Sequence, residues 1–168
     1  MKLYHGGLAA VEAPKIMERL FYRPLDFGTG FYTTSSFEQA GRWVRNRLDH
    51  SEEEACGYVS VYEFDETGFS SAGLTRLDFP LGQVGPDWFR FVMRNRREHN
   101  PDHGFDLVTG PVANDRVYTV LSAYEAGFMD EASAIERMKP YRLANQYLFH
   151  TENALRFLSF LESVEVAR

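Results

Sequence analysis

Cysteine is almost absent. Cys56 stands alone in 168 residues, so no internal disulfide framework can hold the fold, and stability has to come from buried side chains. Long apolar runs are missing as well: Glu, Arg or Gly interrupts them every few positions, and none approaches the ~20 residues that a membrane-spanning helix needs. Met1-Lys2-Leu3-Tyr4-His5 lacks the charged-then-apolar form of a secretory leader. Together with the lone thiol, this predicts a soluble, cytoplasmic protein. Positive charge is in deficit, with 18 Lys and Arg against 24 Asp and Glu and a formal charge of −6. That excludes a whole-surface attraction to nucleic acid and leaves room only for a local basic strip. Without internal repeats or low-complexity linkers, residues 1–168 read as one domain, long enough to bury roughly 70% of the surface its unfolded chain exposes.

Aromatic residues are abundant, at 15% with fourteen Phe and nine Tyr, which suits a strand-rich core. Leu3-Tyr4-His5-Gly6-Gly7 reads as a first strand with His5 near its end. Ser36-Phe37-Glu38-Gln39 has the form of a capping box and starts a helix whose stripe is Phe37, Ala40, Val44 and Leu48, with Trp43 beside it. A strand follows over Gly57 to Phe64, then a turn-like stretch from Asp65 to Gly73 and a short strand within Leu74 to Phe79. Pro86-Asp87 starts a second helix that ends in Arg94, Arg96 and Arg97, where cations suit the helix dipole. That basic end reads either as a solvated face or as a phosphate or nucleic-acid patch; no aromatic residue interleaves the arginines in the sequence. Phe105 to Val108 reads as a core strand, and Gly110-Pro111 as a turn. Asn114 or Asp115 caps a third helix stopped by Gly127, and Asp130 a fourth ended by Pro140. Asn145 to His150 alternates as a strand, and Thr151 caps a last helix that buries Ala154, Phe157, Leu158 and Leu161.

Asp26-Phe27-Gly28-Thr29-Gly30-Phe31-Tyr32-Thr33-Thr34 is the ligand site that the residues themselves suggest. Gly28 and Gly30 can take backbone angles closed to other residues and let main-chain amides approach a bound group. A dinucleotide fingerprint would need a third glycine where Thr33 stands, so the pattern alone also fits a plain turn. Arg19 and Arg23, just upstream, could meet phosphate or simply face solvent.

His5 after a strand, Tyr32 in G-T-G-F-Y, and the late strand Asn145-Gln146-Tyr147-Leu148-Phe149-His150 together resemble the ADP-ribosyltransferase superfamily, on its poly-ADP-ribose-polymerase and diphtheria-toxin side. More closely, LYHG, DFGTGFYTT, GPVAND and the FHT run look like a bacterial family of uncharacterised proteins placed in that superfamily. The resemblance covers nearly the whole chain. It implies an α+β fold with a split, mixed and mostly antiparallel β-sheet, flanking helices and a cleft for NAD between two half-sheets. It further implies a mono-ADP-ribosyltransferase that uses NAD as substrate, acts on a macromolecular acceptor (protein or nucleic acid) and is paired with a small antitoxin protein. Residue by residue, His5 would hold the adenosine ribose, the backbone of Gly6 the nicotinamide carboxamide, and Tyr32 and Trp43 the two faces of the nicotinamide ring. Arg23, Gly28, Gly30 and Asp115 complete the NAD-binding set. Gln146 stands where the superfamily signature has Glu. An amide can orient a ribose hydroxyl but cannot neutralise the oxocarbenium-like charge that develops as the ring nitrogen leaves. The exchange is worth about 1–2 kcal/mol, or ten- to thirty-fold in rate.

Other chemistry finds little support. His99 and His103 are separated by Pro101, which breaks the helix that would align them on a metal, and Cys56 has no partner thiol. Asp26, Asp106, Asp115 and Glu152 are the carboxylates available to compensate for Gln146; each also fits a cap or turn role.

Overall fold

The structure, a computed structural model, describes residues 1–16, 25–98 and 102–168. Seven strands form one sheet in the order β4-β5-β6-β2-β1-β3-β7: β1 (Lys2–Gly7), β2 (Phe31–Thr34), β3 (Cys56–Phe64), β4 (Arg76–Asp78), β5 (Leu107–Pro111), β6 (Asn145–Phe149) and β7 (Leu158–Ala167). Only β4 and β5 run parallel; the other ladders are antiparallel. The ladder is thin at one place. β1 and β2 meet at a single register pair, Tyr4 opposite Thr34, whereas β1 and β3 run together over six pairs. The sheet is thus nearly divided into a β1-β3-β7 part and a β4-β5-β6-β2 part.

Strand alternation sends neighbouring side chains to opposite faces, and each face has its own core. On one face lie α1 (Phe37–Asp49), α3 (Pro86–Arg97), α4 (Asp115–Glu125) and α5 (Glu131–Met138). There α1 buries Ala40, Val44 and Leu48 against Val59, while Trp88, Phe89, Val92, Leu121 and Met138 pack with Val108 and Leu148. The other face carries Leu3, Phe31, Tyr62, Phe64, Tyr147 and Phe149. It is covered by α2 (Glu66–Ser71), α6 (Glu152–Leu155) and the segment around Val11 and Ile16. Ring pairs such as Phe64–Phe149, centroids 5.2 Å apart at 87°, give that layer edge-to-face geometry.

Local signals explain most helix starts. The side chains of Ser36, Asn114, Asp130 and Thr151 each accept a bond from a backbone amide three residues on, satisfying donors that the helix leaves open. The expected capping box is only half made: Gln39 Oε1 accepts from the Thr34 hydroxyl instead of reaching back to Ser36. Phe37, expected in the apolar stripe, is 41% exposed.

Three expectations are corrected. Asp65 caps α2 where a turn was expected, because its carboxylate takes the Gly68 amide. Gly110 and Pro111 end β5 rather than forming a turn; Gly110 suits a strand here because Phe27 and Phe79 occupy the space its Cβ would need. The last helix stops at Leu155, and residues from Leu158 onward form a ten-residue edge strand on β3, with a bulge opposite Val61/Tyr62. Leu161, expected to be buried, is 47% exposed.

Candidate functional site

His5, Tyr32 and Gln146 sit on β1, β2 and β6, three adjacent strands at the centre of the sheet. His5 marks the thin place in the ladder. Its Nδ1 lies 2.7 Å from the Tyr32 carbonyl, and since a carbonyl only accepts, Nδ1 carries the proton. The imidazole also stacks on Phe31, centroids 4.5 Å apart at 28°. Next to it, Gly6 lets α1 approach: a Cβ there would stand 2.5 Å from the Ala40 carbonyl oxygen.

The glycine turn is anchored far more heavily than its composition suggests. Four successive carbonyls, those of Asp26, Phe27, Gly28 and Thr29, each meet a side-chain donor: Asn95 Nδ2 at 3.0 Å, His103 Nε2 at 3.1 Å, the Tyr32 hydroxyl at 2.7 Å and His150 Nδ1 at 2.5 Å. The Tyr32 hydroxyl in turn accepts from the Phe27 amide at 3.2 Å. Gly28 has φ +91°, which favours glycine. At Gly30 a Cβ would meet Leu148 Cδ1 and the Phe149 carbonyl oxygen. Phe27 fills the core beneath and is fully buried. Behind the turn, Arg96 is held bidentately by Glu125, both bonds 3.0 Å, and lies 3.9 Å from Asp26. Those hydrogen bonds and charges outweigh burial and keep its guanidinium above its usual pKa.

Register decides which side chains share a face. Thr34 is opposite Gln146 and Tyr32 opposite Leu148, so Tyr32 and Gln146 are diagonal neighbours on one face. His5, which stacks on Phe31, points to the other face along with Tyr147 and Thr33. Gln146 is 8% exposed and its amide nitrogen is 3.5 Å from the Pro111 carbonyl, which also accepts from Trp88 Nε1 at 3.0 Å. Trp43 projects from α1 with 55% exposure. Asp115 is the first residue of α4; its side chain, like Arg19 and Arg23, lies outside the described residues.

Two groups carry interactions that sequence reasoning passed over. His103 and His150 lie in tilted ring contact, centroids 4.3 Å apart at 38°; neither position had a local signal, since the pair exists only because both rings reach the same turn. Burial, followed by the nearby His150 charge, lowers the His103 pKa. On the His5 face, Arg76 joins Glu66 and Asp78 at 2.7 Å each, Thr109 donates to Asp78, and burial raises the Tyr147 phenol above its usual value. Of the carboxylates considered as substitutes for Glu, Asp26 faces Arg96, Asp106 binds Thr75 and Thr151, and Glu152 takes the Ile16 amide. Among the described residues no group of three or more His, Cys, Asp or Glu could hold a metal ion, and no helix is long and apolar enough to cross a membrane. Two surface hollows flank α3, of about 510 and 250 Å³, and neither touches His5, Tyr32 or Gln146.

No curated protein and no solved structure matches the chain. A family model described as "Protein of unknown function (DUF3990)" matches residues 1–160. With nearly all of its length covered by that match, the chain belongs to the DUF3990 family.

Proposed function

We propose that this protein is an NAD-dependent mono-ADP-ribosyltransferase, with the dinucleotide lying along the junction of β1 and β2, and that a small neutralising protein is its partner in the cell. The observation that supports this most is the placement of the three motif strands side by side, with His5 bridging to Tyr32 where the ladder thins to one pair. In the proposed reaction the bond from ribose C1′ to the nicotinamide nitrogen breaks. Nicotinamide leaves with the bonding electrons, and the acceptor's nucleophile forms the new bond to C1′ and loses its proton. His5 and the Gly6 backbone hold NAD at the thin β1–β2 junction from one face of the sheet, while Tyr32 meets the ring and Gln146 orients the ribose from the other face. Trp43 closes over the ring from α1. The pre-anchored turn lowers the ordering cost of binding, since its backbone is fixed before ligand arrives.

A second reading, a catalytically silent NAD or ADP-ribose binding module, draws on the buried amide of Gln146 and its contact with Pro111. Intact mass and nicotinamide release after incubation with NAD and cell lysate separate the two. Turnover and an ADP-ribose adduct are expected; NAD binding with neither sinks the enzyme. Gln146→Glu is a sharper probe. The transferase reading expects about a ten- to thirty-fold faster turnover, while the silent module changes at most its affinity. A carboxylate cannot donate to the Pro111 carbonyl, so the same variant should lose about 1–3 kcal/mol of stability near neutral pH. Urea unfolding checks that loss and controls the rate comparison.

A further inference from the structure

The basic end of α3 acquires in three dimensions the aromatic partner that it lacks in sequence. Arg90, Arg94 and Arg97 fall at i, i+4 and i+7, one stripe of the helix, and all three line the 250 Å³ hollow together with Glu98, Glu131, the partly exposed Tyr124 and the buried Phe89 and Met93. Tyr124 comes from α4. Its edge packs on Phe89, centroids 4.9 Å apart at 74°, and its face meets the Arg97 guanidinium at 5.3 Å. Two of the cations have carboxylate neighbours, Arg94 with Glu98 at 3.0 Å and Arg90 with Glu131 at 2.8 Å. The Arg side chains of these pairs are 54% and 65% exposed, and such exposed pairs are weak enough for a phosphate to displace the carboxylate. A row of cations beside an aromatic side chain is what a sugar-phosphate strand with unpaired bases needs: charge along the backbone and a ring for stacking. The opposite side of the same helix holds the glycine turn through Asn95 and Arg96, so hollow and turn stand about one helix diameter, ~10 Å, apart.

We propose that the hollow between α3 and α4 binds single-stranded nucleic acid, with Arg90, Arg94 and Arg97 along the phosphates and Tyr124 against a base. Resting on the transferase reading above, this makes nucleic acid the class of acceptor and the hollow its docking site. The overall acidity of the chain confines the contact to this strip, because a strand straying from it meets net negative charge.

The test is fluorescence anisotropy of the full chain with fluorescein-labelled oligouridine and oligothymidine of about 12 nucleotides, within the usual span of a single-strand site. With three phosphates neutralised, affinity should fall about fifteen-fold between about 50 and 200 mM salt. Arg94→Gln with Arg97→Gln, both at exposed positions, should weaken binding at least about tenfold and cut the logarithmic salt slope from about −2 to about −0.7. Tyr124→Leu, which keeps apolar bulk, should weaken binding several-fold and leave the slope unchanged. Absence of saturable binding, unaltered binding by the double arginine variant, or equal competition from polyglutamate overturns the proposal. No NAD is present in this assay. In a parallel reaction with NAD added, oligonucleotide binding with neither an ADP-ribose adduct nor nicotinamide release sinks the transferase and leaves the surface. An adduct formed by the double variant at the parent rate sinks the surface and leaves the transferase.

Discussion

At Gly6 the proposed ligand role meets a packing role, and the packing role has a measurable size. A methyl group there would run into the Ala40 carbonyl oxygen and Val44, and backbone on both sides resists moving. Gly6→Ala should destabilise the fold by about 1–3 kcal/mol in urea or thermal unfolding, whether or not NAD is added. Loss of NAD binding without loss of stability would instead assign the glycine to the ligand. His103 supplies a pH dependence. Its Nε2 donates to the Phe27 carbonyl and its Nδ1 accepts from the Phe105 amide at 3.2 Å, so both nitrogens are engaged in the neutral form and a second proton would break the bond from Phe105. Burial and His150 depress its pKa below the usual 6.5. The unfolded chain then binds the proton first, and this contribution to stability is full above 6.5 and is lost as pH falls toward the depressed value. The melting temperature should drop between about pH 7 and pH 5, and His103→Gln should flatten that slope. An unchanged slope in the variant would remove His103 as its source.

Among the elements, those with a local cause were legible in the sequence and those set by distant partners were not. Ser36, Asp130 and Thr151 announce helix starts because each side chain bonds its own neighbouring amide. The C-terminal strand gave no such notice. Leu158 and Leu161 suit a helical stripe, while Phe160, Val164 and Val166 suit alternation, and only the nine-pair ladder with β3 settles it as a strand. Truncation after Phe157 should therefore leave β3 as a bare edge and give an insoluble or unfolded chain, read by circular dichroism and solubility. A soluble, cooperatively folded truncation would show β7 to be an accessory. The candidate site divides in the same way. Resemblance picked out the motifs of β1, β2 and β6, but no residue pattern reveals that His5 and Gln146 look toward opposite faces, since that depends on the register of Thr34 against both Tyr4 and Gln146.

For the molecule as a whole, the thin junction between the two parts of the sheet should be its weakest internal boundary. Amides of β1 shared with β3 are expected to exchange with deuterium more slowly than those of β2 facing β1, and NAD should protect the latter selectively. Equal protection along both sides of β1 would show a continuous sheet without a soft line. The tethered turn has a further effect. A peptide unit is planar and trans, so fixing a C=O also aims the N–H of the following residue the opposite way. By gripping the oxygens of Gly28 and Thr29 from one side, Tyr32 and His150 set the vectors of the Thr29 and Gly30 amides, and an anionic group arriving there would meet dipoles oriented before it came.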